Sequence, residues 1–142
     1  MGYATSNRSA VIRIPAYAKT PKMRRFELRN PDATCNPYFC YAAILMAGLD
    51  GIKNQIDPHE NGWGPYDMNL FELPEEEKKK LKGLPTSLEQ ALDALEADHD
   101  YLTAGGVFPE VLLQNFIKNK RAECSQLSAI PHPAEFDRYY NM

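Results

Sequence analysis

Arg8, Arg13, Lys22, Arg25 and Arg29 crowd the start of the chain, with the carboxylate of Glu27 standing between the last two. Arginine presents a rigid planar fork that grips phosphate or carboxylate bidentately, so this grouping suits recognition of a nucleotide or an amino acid. In the stretch "RRFELRNPD", residues 24–32, a strand period of two sets Arg25, Glu27 and Arg29 on one face and Phe26 and Leu28 on the other. A single charged strand face is commonly just wet. Clustering alters that reading, because like charges on paired strands repel unless an anion sits among them. Glu27 is then either an internal counter-ion to the flanking arginines or a hard oxygen ligand for Mg²⁺ shared with phosphates. Residue type alone favours the ion pair.

Competing chemistries are weaker. Neither "GLDGIKN" nor "AGGVF" completes a glycine-rich phosphate loop, so side chains would have to hold the anion. His59 and His132 neighbour prolines and His99 lies among acids, which reads as surface rather than catalysis or metal binding. Cys35, Cys40 and Cys124 are odd in number and lack Cys-x-x-Cys spacing, so they are expected to be reduced core thiols. The formal net charge of −3 hides a split: residues 1–31 carry seven Lys or Arg against Glu27 alone, and the remainder nine against eighteen acids. A basic segment of this kind points to an anionic ligand. Nucleic acid is disfavoured, because the aromatic residues lie mostly in the acidic part instead of interleaving with the basic one.

The elements that must carry these residues follow from pattern. "NRSAVIRI" reads as a strand ending at Pro15, and Arg24 to Arg29 as its antiparallel partner across a Lys-bearing connection. Asn36 is a good N-cap and Pro37 suits the first helical position of a segment that is apolar all round, predicting a buried helix. Residues 57–74 read as a long loop, functional or interfacial. "PEEEKKKL" suits a short solvated helix, "SLEQALDALEADHDYL" opens on a capping box from Ser87 to Gln90, and "FPEVLLQNFIKNKRAECSQL" turns Val111, Leu112, Phe116 and Ile117 inward. The tail "PHPAEFDRYYNM" suits docking. With 44% hydrophobic and 25% charged residues, the chain fits one compact globular domain. The apolar run from Pro37 to Leu49 is short of the roughly 20 residues that span a bilayer, and no signal core opens the chain, so a cytoplasmic, non-membrane protein is expected.

The ordered segments "NRSAVIRIP", "RRFELRNPD", "NPYFCYAAILMAGLDGIKN", "SLEQALDALEADHDYL", "GGVF" and "HPAEFDRYY" resemble, from Asn7 to Tyr140, the C-terminal part of the catalytic domain of type I glutamine synthetases. The resemblance implies an α+β fold, with an antiparallel Arg-rich hairpin from the catalytic barrel packed with about four helices. It implies that residues 1–142 are a C-terminal portion, without the family's N-terminal β-grasp domain and the first part of its catalytic domain. The implied activity of a full-length parent is ATP-dependent ligation of ammonia to L-glutamate through a γ-glutamyl phosphate, with two Mg²⁺ or Mn²⁺ ions per full site. By position, Arg8 resembles the arginine contacting ATP phosphates, glutamate and the transferred group. Arg29 resembles a glutamate-binding arginine, Arg13, Lys22 and Arg25 resemble ATP or phosphate positions, and Glu27 resembles a metal ligand. The loop before Arg25 is one residue longer than the enteric pattern. Phe71, in "NLFELP", stands where adenylylated members carry tyrosine, so that modification is not expected. Complete members form homo-oligomeric dodecamers, and the tail resembles the segment that inserts into the opposing ring. The chain alone is expected to lack turnover; the alternative is a non-catalytic assembly or anion-binding module.

Overall fold

The computed structural model describes residues 2–140, which fall into two compact units dividing between Leu84 and Pro85. Each unit has its own core, and the two cores differ in character.

The first unit holds a three-stranded mixed sheet. Strand β1 (Tyr3–Thr5) runs parallel to β2 (Ile12–Ile14), and β2 is antiparallel to β3 (Glu27–Leu28). The hairpin between β2 and β3 is present as expected, but both strands are shorter than predicted and β1 is an addition. A 3-10 turn over Pro21–Met23 takes up the residues leading into β3. Among the described residues of this unit only Ala4, Ala10 and Pro15 are buried, so its core is made of small side chains. The outer edge of β1 is covered by the 57–74 loop: Tyr3 N donates to Trp63 O at 2.9 Å and Tyr66 N to Tyr3 O at 3.0 Å. That cover blunts a sheet edge that would otherwise offer unpaired backbone groups. Gly64, at φ +127°, is needed there, because a Cβ would stand 2.3 Å from the Tyr3 carbonyl oxygen.

Helix α1 (Pro37–Lys53) starts where the sequence places it, with the Asn36 side chain accepting from Tyr38 N and Phe39 N. Its burial does not follow. No α1 residue is buried, and Tyr38, Tyr41 and Ile52 are 83%, 73% and 77% exposed. A helix apolar on every side needs cover from several directions, and this chain has too few elements to enclose it. After α1 the first unit contains the single-turn helix α2 (Glu75–Lys78), where Lys78 and Lys79 pair with Glu75 and Glu76.

The second unit is helical: α3 (Leu88–Ala97), α4 (Asp100–Thr103), α5 (Glu110–Ser128) and α6 (Pro133–Tyr139). With the four-residue α4 set aside, α1, α3, α5 and α6 are the four helices longer than about one turn among the described residues, in keeping with the expected α+β class. Leu92, Leu102, Phe108, Leu113 and Ile117 form its core. The inward face of α5 is therefore carried by Leu113 and Ile117, while Val111, predicted inward, is 66% exposed. Ser87 caps α3 by accepting from Gln90 N, but the Gln90 side chain closes on Thr86 N and Oγ1 instead of completing the box at Ser87. His132 proves to be an N-cap: its Nδ1 accepts from Ala134 N, and Glu135 accepts from His132 N.

Candidate functional site

The hairpin register puts Arg13 directly opposite Glu27. Cross-strand partners project from the same face, so the two side chains meet: Arg13 Nη1 donates to Glu27 Oε2 at 2.6 Å, with the side chains 18% and 36% exposed. Glu27 is thus ion-paired, as residue type favoured, but to Arg13 across the hairpin and not to the flanking Arg25 or Arg29. Arg13 Nε is buried without a partner, so this guanidinium still has a donor to satisfy.

Arg8 and Arg29 form a second association. Arg29 N donates to Val11 O at 3.0 Å, and its side chain donates through Nη1 to the Arg8 carbonyl oxygen. The turn carrying Arg8 is held by its neighbour Asn7, whose Nδ2 donates to Tyr66 O at 2.8 Å and Met68 O at 2.7 Å. Asn7 Oδ1 in turn accepts from Ser9 N and Ser9 Oγ, and Ser9 Oγ accepts from Leu70 N. The long loop, expected to be functional or interfacial, therefore braces the Arg8 turn. Among the described residues no hydrogen bond or ion pair occupies the Arg8 guanidinium, which leaves it able to receive an anion.

Arg25 packs its guanidinium over the Tyr17 ring, 5.0 Å from the centroid, and donates to the Tyr17 hydroxyl. It lines an open groove with Arg24, Ile14, Ala18 and Phe26. Lys22 sits on the exposed 3-10 turn and forms no ion pair among the described residues. Phe71 lies on another 3-10 turn, Leu70–Glu72, and is 76% exposed. Tyr17, Arg24 and Asn7 are the contributors that sequence reasoning missed. The polar run "SNRS" was the available signal for Asn7, since Asn and Ser favour turns that bond their own backbone.

The cysteines depart from expectation. Cys35 is exposed and Cys40 and Cys124 are half-buried, so none is a core thiol. Of the histidines, His99 has the richest environment: Nδ1 donates to Leu95 O at 2.9 Å and Nε2 faces Glu110 Oε2 at 3.2 Å.

A divalent ion in an oxygen site takes several ligands. Among the described residues no three Asp, Glu, His or Cys side chains gather closely enough to hold one, and Glu27 is a lone carboxylate on the hairpin. That donor suits Mg²⁺ or Mn²⁺ as one member of a larger set. No helix of the described residues is long and apolar enough to cross a membrane.

Residues 1–139 match a family model described as glutamine synthetase, catalytic domain. The chain is 51% identical over 142 residues to a glutamine synthetase of Aquifex aeolicus (strain VF5), covering all of this chain and 29% of the relative. It is 49% identical over 142 residues to that of Salmonella typhimurium, with the same coverage. A solved structure of a GmaS/ADP complex superimposes with a TM-score of 0.74 at 33% identity, over 99% of this chain and 29% of that one. The chain spans about three-tenths of the length of these relatives.

Proposed function

Because this chain belongs to the glutamine synthetase catalytic-domain family, we propose that its Arg-rich hairpin serves the ATP-dependent ligation of ammonia to L-glutamate within a longer polypeptide. The observation that carries the proposal is the register that sets Arg13 against Glu27 while Arg29 is bound to the Arg8 turn. A site for polyanions would draw its one carboxylate and its guanidiniums from these neighbouring positions. Arg29 and Arg8 hold the glutamate carboxylate, and Arg8, Arg13, Lys22 and Arg25 neutralise ATP phosphates and the charge that develops as the γ-phosphoryl group moves. The donor left over on Arg13 Nε and the uncommitted Arg8 guanidinium favour this assignment. A structural relative solved with ADP supports a nucleotide as the ligand.

Glu27 is the one metal ligand assigned to this chain, its companions belonging to the remaining length of the relatives. A bound Mg²⁺ or Mn²⁺ would supply charge neutralisation at the phosphates. Arg13, now paired with Glu27, would exchange that partner for phosphate oxygen. Chain alone, spanning 29% of a relative, is proposed to lack turnover; the full protein is proposed to be a cytoplasmic homo-oligomer.

A second reading, a non-catalytic assembly or anion-binding module, is favoured by the apolar face that α1 leaves exposed. One measurement separates the two: glutamate- and ammonia-dependent phosphate release from ATP. We expect none from this chain, and release from a full-length glutamine synthetase carrying it in place of the matching segment. Glu27→Ala in that protein should abolish release while assembly, read by sedimentation, persists. Undiminished release would refute the assignment of Glu27.

A further inference from the structure

Cys35 and Cys40 occupy two positions of the α1 N-terminus that bring their side chains together. Asn36 is the N-cap and Pro37 the first helical residue, so Cys35 is the residue before the cap and Cys40 the fourth residue of the helix. Side chains at those two positions pack against one another across the first turn. The backbone on both sides is pinned: Cys40 N donates to Asn36 O at 2.9 Å and Cys35 N to Asp32 O at 3.1 Å. Asp32 Oδ1 further accepts from Thr34 N at 2.7 Å and Thr34 Oγ1 at 2.6 Å, closing the turn before Cys35. Both thiols are free, Cys35 exposed and Cys40 half-buried.

We propose that Cys35 and Cys40 form an oxidisable pair that closes to an intramolecular disulfide in the presence of hydrogen peroxide. The Cys35 thiolate attacks a peroxide oxygen; the O–O bond breaks, one water leaves and Cys35 becomes a sulfenic acid. The Cys40 sulfur then attacks the Cys35 sulfur; the S–S bond forms as S–O breaks, and the second water carries away the remaining proton. Two thiols are oxidised by two electrons in all and one peroxide is reduced to two waters. The order follows from access. Burial, with the adjacent Cys35 thiol adding to it, pushes the Cys40 thiol up, which suits the resolving partner better than the first attacker.

The sequence makes the product easy to read, because no Lys or Arg lies between Arg29 and Lys53 and both cysteines fall in one tryptic peptide, residues 30–53. The full chain is treated with hydrogen peroxide, blocked with iodoacetamide, digested and weighed. Two of the three thiols should be lost, with peptide 30–53 lighter by two hydrogens and unalkylated, and Cys124 alkylated. Cys35→Ser and Cys40→Ser should each abolish that peptide, and Cys124→Ser should leave it unchanged. Three thiols surviving, oxidation stopping at a sulfenic or sulfinic acid, pairing with Cys124, or cross-links between molecules would each overturn the proposal.

Discussion

Breaking the Arg13–Glu27 pair from its two ends should give unequal results. Arg13 is the more enclosed partner and already carries one unsatisfied buried donor. Removing Glu27 strands that guanidinium in a half-dry place, whereas removing the guanidinium leaves a carboxylate that water reaches. A charge-assisted hydrogen bond contributes ~1.5–3 kcal/mol when shielded, and exposed pairs ~0–1. At the intermediate exposure found here, Glu27→Ala should cost about 2 kcal/mol, with the stranded cation adding to the lost bond. Arg13→Met, which keeps the aliphatic stem, should cost about 1 kcal/mol. The double variant should fall about 1 kcal/mol short of their sum. The assay is urea unfolding followed by fluorescence of Trp63, the one tryptophan, which reports this unit because its carbonyl accepts from Tyr3 N. With a slope of about 1 kcal/mol/M for so small a unit, Glu27→Ala should lower the midpoint by about 2 M. Arg13→Met costing as much as Glu27→Ala, or a coupling under about 0.3 kcal/mol, would refute the reasoning.

Two further outcomes concern the helical unit. The Leu95 carbonyl, followed by the charge of Glu110, raises the His99 pKa above its ordinary 6.5, and the Gln114 side chain, followed by His99, lowers that of Glu110 below 4.5. A raised imidazole stabilises fully below its unfolded pKa and is lost as pH rises through the folded value; a lowered carboxylate stabilises above its unfolded pKa and is lost as pH falls through the folded one. The thermal midpoint should therefore fall as pH rises past 6.5 and again in acid below 4.5, and His99→Gln should remove the alkaline fall; a variant that keeps it would exclude His99. Leu92→Ala, at a position 2% exposed, should destabilise this unit by about 2–5 kcal/mol, measured by circular dichroism, and a loss under about 1 kcal/mol would place Leu92 outside the core.

What the sequence disclosed was local. Asn36 and Pro37 marked the start of α1 because capping depends on residues within one turn. The hairpin was legible from Pro15, the β-branched run and the alternation around Glu27, and the opposition of Arg13 and Glu27 follows once the strands pair. Strand β1 was not legible: "YAT" carries no period, and its pairing comes from β2 and from Trp63 and Tyr66. On α5 the apolar residues at 111, 112, 113, 116 and 117 permit two neighbouring stripes, and packing against α3 selects Leu113 and Ile117. The expected burial of α1 failed because a hydrophobic sequence declares a need for cover without supplying it; at 29% of a relative's length, the chain provides little. Asn7 escaped notice because its partners are backbone oxygens of Tyr66 and Met68, groups every residue possesses.

That same Asn7 tether has a consequence for folding. It joins positions 59 and 61 residues apart, so the chain must close a long loop before either bond can form. The β2–β3 hairpin closes a far shorter one, with Arg13 and Glu27 only 14 residues apart. By loop-closure entropy the Arg13–Glu27 pair should form before the Asn7 tether, since the shorter loop costs less to close. During synthesis Arg8 emerges early, yet it waits on Met68 to acquire its final surroundings.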